Sequence, residues 1–164
     1  MKKSVILAMV LVGLSWAGLV SSALAAEQPK IAVFVRAAAA ADGFTDPDKS
    51  RTDSVKNLKD KLKDEKWARL VDTEDAAVIV LDVLNRHTDV DHGSAWNMVG
   101  GYGQKHSTLD VRLTAGSFTA EFSGTGGASG LFSGYGKAAG KVVDELEKWV
   151  KANSEKLQAI AGTK

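Results

Sequence analysis

The chain has 164 residues, 45% of them apolar and 25% charged, with 21 basic against 20 acidic side chains and no cysteine. That balance argues against a general nucleic-acid binder, which needs a cationic excess to displace counterions from phosphates. The lack of cysteine excludes disulfides, a cysteine nucleophile and a lipoprotein anchor, whose cleavage point must carry that residue.

Lys2 and Lys3 give the chain a positive start, and an apolar run from Val5 to Val20 follows, broken only by Gly13, Ser15 and Gly18. Small residues then lead to Ala23-Leu24-Ala25, an A-x-A site. This pattern, bacterial in style, predicts a secretory signal peptide over 1–25 and one exported domain over 26–164, in the periplasm or the medium. An uncleaved anchor helix is the competing reading, because the run nearly spans a bilayer. The small-residue exit and the polar Glu27-Gln28-Pro29 favour cleavage. Cleavage leaves 139 residues (164 less 25) with 19 basic and 20 acidic side chains, enough for one hydrophobic core. No later apolar segment is long enough to span a membrane.

Lys30 to Arg36 is the first predicted strand. Ile31, Val33 and Val35 share one face and Ala32 and Phe34 the other, which predicts a strand covered on both sides. Residues 37–49 form a loop with turn signals at Asp42-Gly43 and Asp46-Pro47. A helix is predicted over 51–65, capped by Ser50 or Thr52, with Val55, Leu58 and Leu62 on a narrow apolar stripe. Seven cations lie between Lys49 and Lys66, but Asp53, Asp60, Asp64 and Glu65 are interleaved, as on a solvated face. Trp67 to Val71 is a short strand. Ala77 to Thr88 is a long one, apolar on both faces and hence central.

His106 to Ala115 and Phe118 to Gly124 are predicted to form a hairpin about Gly116-Ser117, a pair suited to a two-residue primed turn. That turn sets a register in which Ala115 meets Phe118, Leu113 meets Ala120 and Val111 meets Phe122. Thr114 then faces Thr119, and Arg112 faces Glu121. A one-residue slip would oppose apolar to polar residues throughout. The last element is a helix over about 137–158, with Ala139, Val142, Val143, Leu146, Trp149, Val150 and Leu157 on a wide stripe. The first helix is expected beside it or on the opposite face of the sheet. The fold class is α+β, a mixed and mainly antiparallel sheet of about five strands with two amphipathic helices, in the order β-α-β-β-β-β-α.

Lys30-Ile31-Ala32-Val33, the helix ending near Leu62, Leu70-Val71-Asp72 and the strand from Ala76 to Leu84 together resemble the amino-terminal domain of TolB and related accessory modules of the bacterial envelope. The resemblance covers about half of the exported domain and implies a non-catalytic binding role.

Two connections draw attention. Residues 89–105 make a 17-residue link between strands, far longer than a usual hairpin, and hold Trp96, Met98 and Tyr102 among glycines. Residues 124–136 are glycine-rich and hold Leu131, Phe132 and Tyr135. Aromatic and apolar side chains on such links either pack over the sheet or dock a protein or envelope component. His87, Asp89, Asp91, His92 and His106 offer a candidate transition-metal site. Strand parity, however, points His87 and His106 to opposite sides of the sheet. No other cofactor is predicted. Gly136-Lys137 lacks the hydroxyl residue and the leading glycine of a P-loop, and Gly134-Tyr135-Gly136 with Gly140 misses the dinucleotide fingerprint. Ser129 and Ser133 lack the nucleophile-elbow frame, which makes a small hydrolase the weaker alternative. Asp42, Asp46 and Asp48 lack calcium-loop spacing and suit turns. The sequence therefore predicts an exported, non-enzymatic binding module, with metal binding as the alternative.

Overall fold

A computed structural model describes residues 29–38, 47–91, 104–128 and 134–163. Its sheet has five strands in the order β2-β1-β3-β4-β5. β1 (Ile31–Ala37) lies between β2 (Ala68–Leu70) and β3 (Ile79–Asp91) and runs parallel to both. β3, β4 (Gln104–Ala115) and β5 (Phe118–Ala128) form an antiparallel meander. The α+β class and the mixed five-stranded sheet are as the sequence predicts.

The hairpin register is also the predicted one. Ala115 pairs with Phe118, Leu113 with Ala120, Val111 with Phe122, Thr114 with Thr119 and Arg112 with Glu121. Gly116 takes φ +57°, the left-handed conformation that makes a two-residue turn fit the strand twist.

α1 (Pro47–Lys63) begins four residues earlier than predicted. Its first residue is proline, whose fixed φ suits a first helical position and whose missing N–H is no loss there. Ser54, Leu58 and Leu62 are buried along one stripe. α2 (Tyr135–Ala152) buries Ala138, Ala139, Val142, Val143, Leu146 and Val150. The continuous last helix that the apolar stripe predicts is in fact two. Asn153 sits at φ −117°, its side-chain amide donates to the Trp149 carbonyl at 2.9 Å, and α3 (Ser154–Ala161) starts anew. The Asn153 backbone N–H donates to the same carbonyl at 3.0 Å, and beyond the break Leu157, 1% exposed, joins the core.

One apolar cluster joins Val33 and Val35 of β1, Ile79, Leu81 and Val83 of β3, and Leu109, Val111 and Leu113 of β4 to Leu58 and Leu62 of α1 and the stripe of α2. The helices therefore share one face of the sheet, with α1 lying against α2. The helices thus supply one of the two covers that the sequence predicts for β1 and β3. Among the described elements, none lies over the second face. Ala32 and Val80 are nevertheless buried on that face, and Phe34 is half-buried.

Candidate functional site

The second face, over which no described element lies, is organised in rows, because strands in register bring equivalent side chains side by side. Arg36 of β1 is the register partner of Asp82 of β3, Asp82 of Arg112 of β4, and Arg112 of Glu121 of β5. Four neighbouring strands thus present charges in the order plus, minus, plus, minus. Arg36 Nε donates to Asp82 Oδ1 at 2.6 Å, and its Nη1 pairs with Glu74 Oε2. Arg112 donates through Nε and Nη2 to Glu121 Oε1 at 3.0 and 2.8 Å. The Asp82 hydrogen bond holds the Arg36 guanidinium above its ordinary pKa, with the Asp82 and Glu74 charges adding to it against a desolvation penalty. Arg36 is a fixed cation. A shallow depression lined by Arg36, Ala37, Ala38, Asp82 and Arg112 lies over this row.

On one side of the charged row lies Phe34–Val80–Thr114–Thr119. On the other lie Asn85–Asp110–Ser123 and then His87–Thr108–Thr125. Ser123 Oγ donates to Asp110 Oδ1 at 2.6 Å, and the Thr108 and Thr125 hydroxyls are 3.3 Å apart. The face is therefore apolar at the β1–β3 corner, charged across its middle and hydroxyl-rich beyond.

A β-bulge between Val83 and Asn85 corrects the predicted geometry of the histidines. Before it, even-numbered residues of β3 share the open face with Arg112. After it, odd-numbered ones do, because the extra residue shifts the alternation by one. His87 and Asp89 thus join His106 on the same face, with Asp89 the register partner of His106. His87 Nε2 lies 3.2 Å from Asp89 Oδ2, and the Asn85 amide nitrogen is 3.5 Å from His87 Nδ1. Among the described residues, no three His, Asp or Glu side chains gather closely enough to hold a metal ion. Asp91 ends β3, and His92 lies outside the described residues.

The same bulge turns Arg86 and Thr88 inward, beneath α2. The Arg86 guanidinium sits 3.8 Å from the centre of the Tyr135 ring, and the Thr88 and Tyr135 hydroxyls are 2.7 Å apart. Asp53 of α1 approaches Arg86 at 3.9 Å. Tyr135, 8% exposed, is thereby a packing residue and not an exposed contact. Trp96, Met98, Tyr102, Leu131 and Phe132 lie outside the described residues.

The two long connections are shorter than the sequence suggests. β3 and β4 run to Asp91 and Gln104, so their link is 92–103. β5 continues through Gly124, Gly126 and Gly127 to Ala128. The first two of those glycines have a packing task. A Cβ at Gly124 would lie 2.2 Å from the Ala138 carbonyl oxygen, and one at Gly126 would lie 2.2 Å from that of Gly134. Glycine lets the start of α2 press on the β5 backbone.

A separate groove of about 250 Å³ lies where β1 and β2 meet the α2–α3 junction, lined in part by Pro29, Ile31, Trp67, Val150 and Gln158. It is smaller than most small-molecule sites, which begin near ~300 Å³.

Arg36 and Asp82 are the residues that sequence reasoning missed. Asp82 interrupts the apolar run Val78–Leu84, and that interruption was the available signal, whereas Arg36 simply follows Ile31–Val35 at the end of its predicted strand. Their pairing depends on β1 lying beside β3, a contact between positions 46 apart that no local pattern specifies.

No protein-family model matches the chain, and no curated protein matches it. Among solved structures it is similar to the PelC dodecamer from Paraburkholderia phytofirmans in space group P6, with 18% identity over 70% of this chain and 90% of that one and a TM-score of 0.47. A single-substitution variant of that dodecamer in space group C2 gives 17% identity over 70% and 88%, with a TM-score of 0.45.

Proposed function

We propose that the chain is an exported, non-enzymatic binding module of the cell envelope that recognises a protein partner through the open face of its sheet. One observation carries this reading: all the described helices cover one face, while the other presents an ordered row of alternating charges beside the Phe34–Val80 corner. An apolar anchor flanked by fixed, mutually oriented charges suits recognition, since the apolar part supplies burial and the charges supply orientation. The exposed Arg112–Glu121 pair contributes little to folding, because such ion pairs add only about 0.2–1 kcal/mol each. The leader over 1–25 supports export, and Trp96, Met98 and Tyr102 belong to a link that leaves this sheet at β3.

Exchanging the charges of one pair, Arg112→Glu with Glu121→Arg, keeps the pair but inverts its order. The exchanged chain, expressed with its own leader, is expected to fold with an unchanged circular dichroism spectrum. Envelope proteins that crosslink to the parent chain should no longer do so. Undiminished crosslinking of the same proteins by this variant, and by Phe34→Ser, would show that the open face is not the recognition surface.

A further inference from the structure

The strand order leaves β5 at one edge of the sheet, with eleven residues against the three of β2 at the other edge. Among the described residues no strand pairs with that outer edge; an edge of such length is a template for another strand, and natural edges are usually blunted by lysine, proline or a bulge. β5 has no lysine and no proline, and its pairing with β4 runs without a bulge from Phe118 to Ala128. Its one charge, Glu121, is engaged by Arg112. The two-residue turn also settles which backbone groups are free. Ala115 and Phe118 close the turn and exchange hydrogen bonds, so Phe118, Ala120 and Phe122 bond to β4, while Thr119, Glu121 and Ser123 direct N–H and C=O outward. Among the described residues, Phe118 is the one large apolar side chain counted as exposed, at 37%, and Phe122 beside it is half-buried.

We propose that β5 pairs antiparallel with β5 of a second copy about a two-fold axis at Ala120, joining two sheets into one of ten strands. The register follows from symmetry. Outward groups must meet outward groups, and opposed side chains share a face, which restricts the axis to a residue position. An axis at Glu121 sets two carboxylates against each other. Axes at Thr119, Phe122 or Ser123 leave at least one phenylalanine of each copy opposite alanine, glycine or the turn. At Ala120 each Phe118 meets the partner's Phe122, and each Glu121 meets a threonine hydroxyl. The segment Phe118-Thr119-Ala120-Glu121-Phe122 is palindromic in polarity about that residue, as an isologous contact requires and a foreign peptide does not. The edge and the open face are different surfaces, so this contact does not rest on the recognition reading.

The chain has no cysteine, so Ala120→Cys introduces a single reporter. At the axis the two Ala120 form a non-hydrogen-bonded pair with Cα atoms about 4.5 Å apart, within disulfide range. Sedimentation equilibrium of the purified full chain is expected to show a dimer. Mild oxidation should crosslink Ala120→Cys at least about ten times faster than Glu121→Cys or Ser123→Cys, whose opposed Cα atoms would be further apart. Thr119→Pro removes one outward N–H without touching the β4 ladder and should raise the dimer dissociation constant, with the circular dichroism unchanged. A monomer at every concentration, or faster crosslinking at Glu121→Cys than at Ala120→Cys, would overturn the proposal.

Discussion

Gly126 and Gly127 are neighbours in one strand with opposite demands. A Cβ at Gly126 would meet the Gly134 oxygen, the Lys137 Cβ and the Ala138 nitrogen, all within 2.8 Å, whereas one at Gly127 would meet nothing within 4 Å. Gly126→Ala is therefore expected to lower stability by about 1–3 kcal/mol, as overpacking does, because the start of α2 must lift from β5. Gly127→Ala should stay within about 0.5 kcal/mol of the parent. Urea denaturation of the two variants checks this, and equal effects would remove the packing explanation. From the sequence the glycines mark only a run. Which of them touches a helix depends on the parity of β5, since only the even-numbered ones face inward.

The elements show where local pattern suffices and where it fails. The register of the hairpin from β4 to β5 was legible, because it follows from one turn and a short alternation, although both strands run further than the alternation marks. The last helix was not, because the stripe from Ala139 to Leu157 continues through the break and conceals it. At the break the Asn153 side chain bonds to the Trp149 carbonyl, and Leu157 beyond it packs into the core. Asn153→Ala is expected to destabilise the folded chain by about 0.5–1.5 kcal/mol, the net value of that bond. In an isolated peptide of residues 135–161 the same change should raise helicity, since alanine is the better helix former. Opposite signs in urea titration and peptide circular dichroism mark the break as imposed by tertiary packing; a rise in both would assign it to the local sequence alone.

At the scale of the molecule, the described helices all pack on the same face of the sheet. Leu113, fully buried beneath α2, and Phe34, half-buried on the second face, lie on opposite sides of one sheet. Leu113→Ala should cost about 2–5 kcal/mol, while Phe34→Ala should cost less although it removes a larger side chain. Thermal or urea denaturation gives the order directly, and a reversed order would mean that a further element covers the open face in solution. The same one-sidedness explains the row from Arg36 to Glu121. Charges persist in interior strands where one face meets water, whereas a helix on that face would leave them to be desolvated.

Alternation and turn chemistry, which act over a few residues, were enough for the sequence to establish the α+β class, the strands, the hairpin register and the helix stripes. Tertiary structure alone decided the rest: β1 beside β3, the three described helices on one side, and the bulge after Val83 that moves His87 and Asp89 to the face of His106. Each of these depends on contacts between segments far apart in the chain or on a single-residue slip in pairing. A pattern of period two carries no record of where it is interrupted, and none of which distant strand lies alongside.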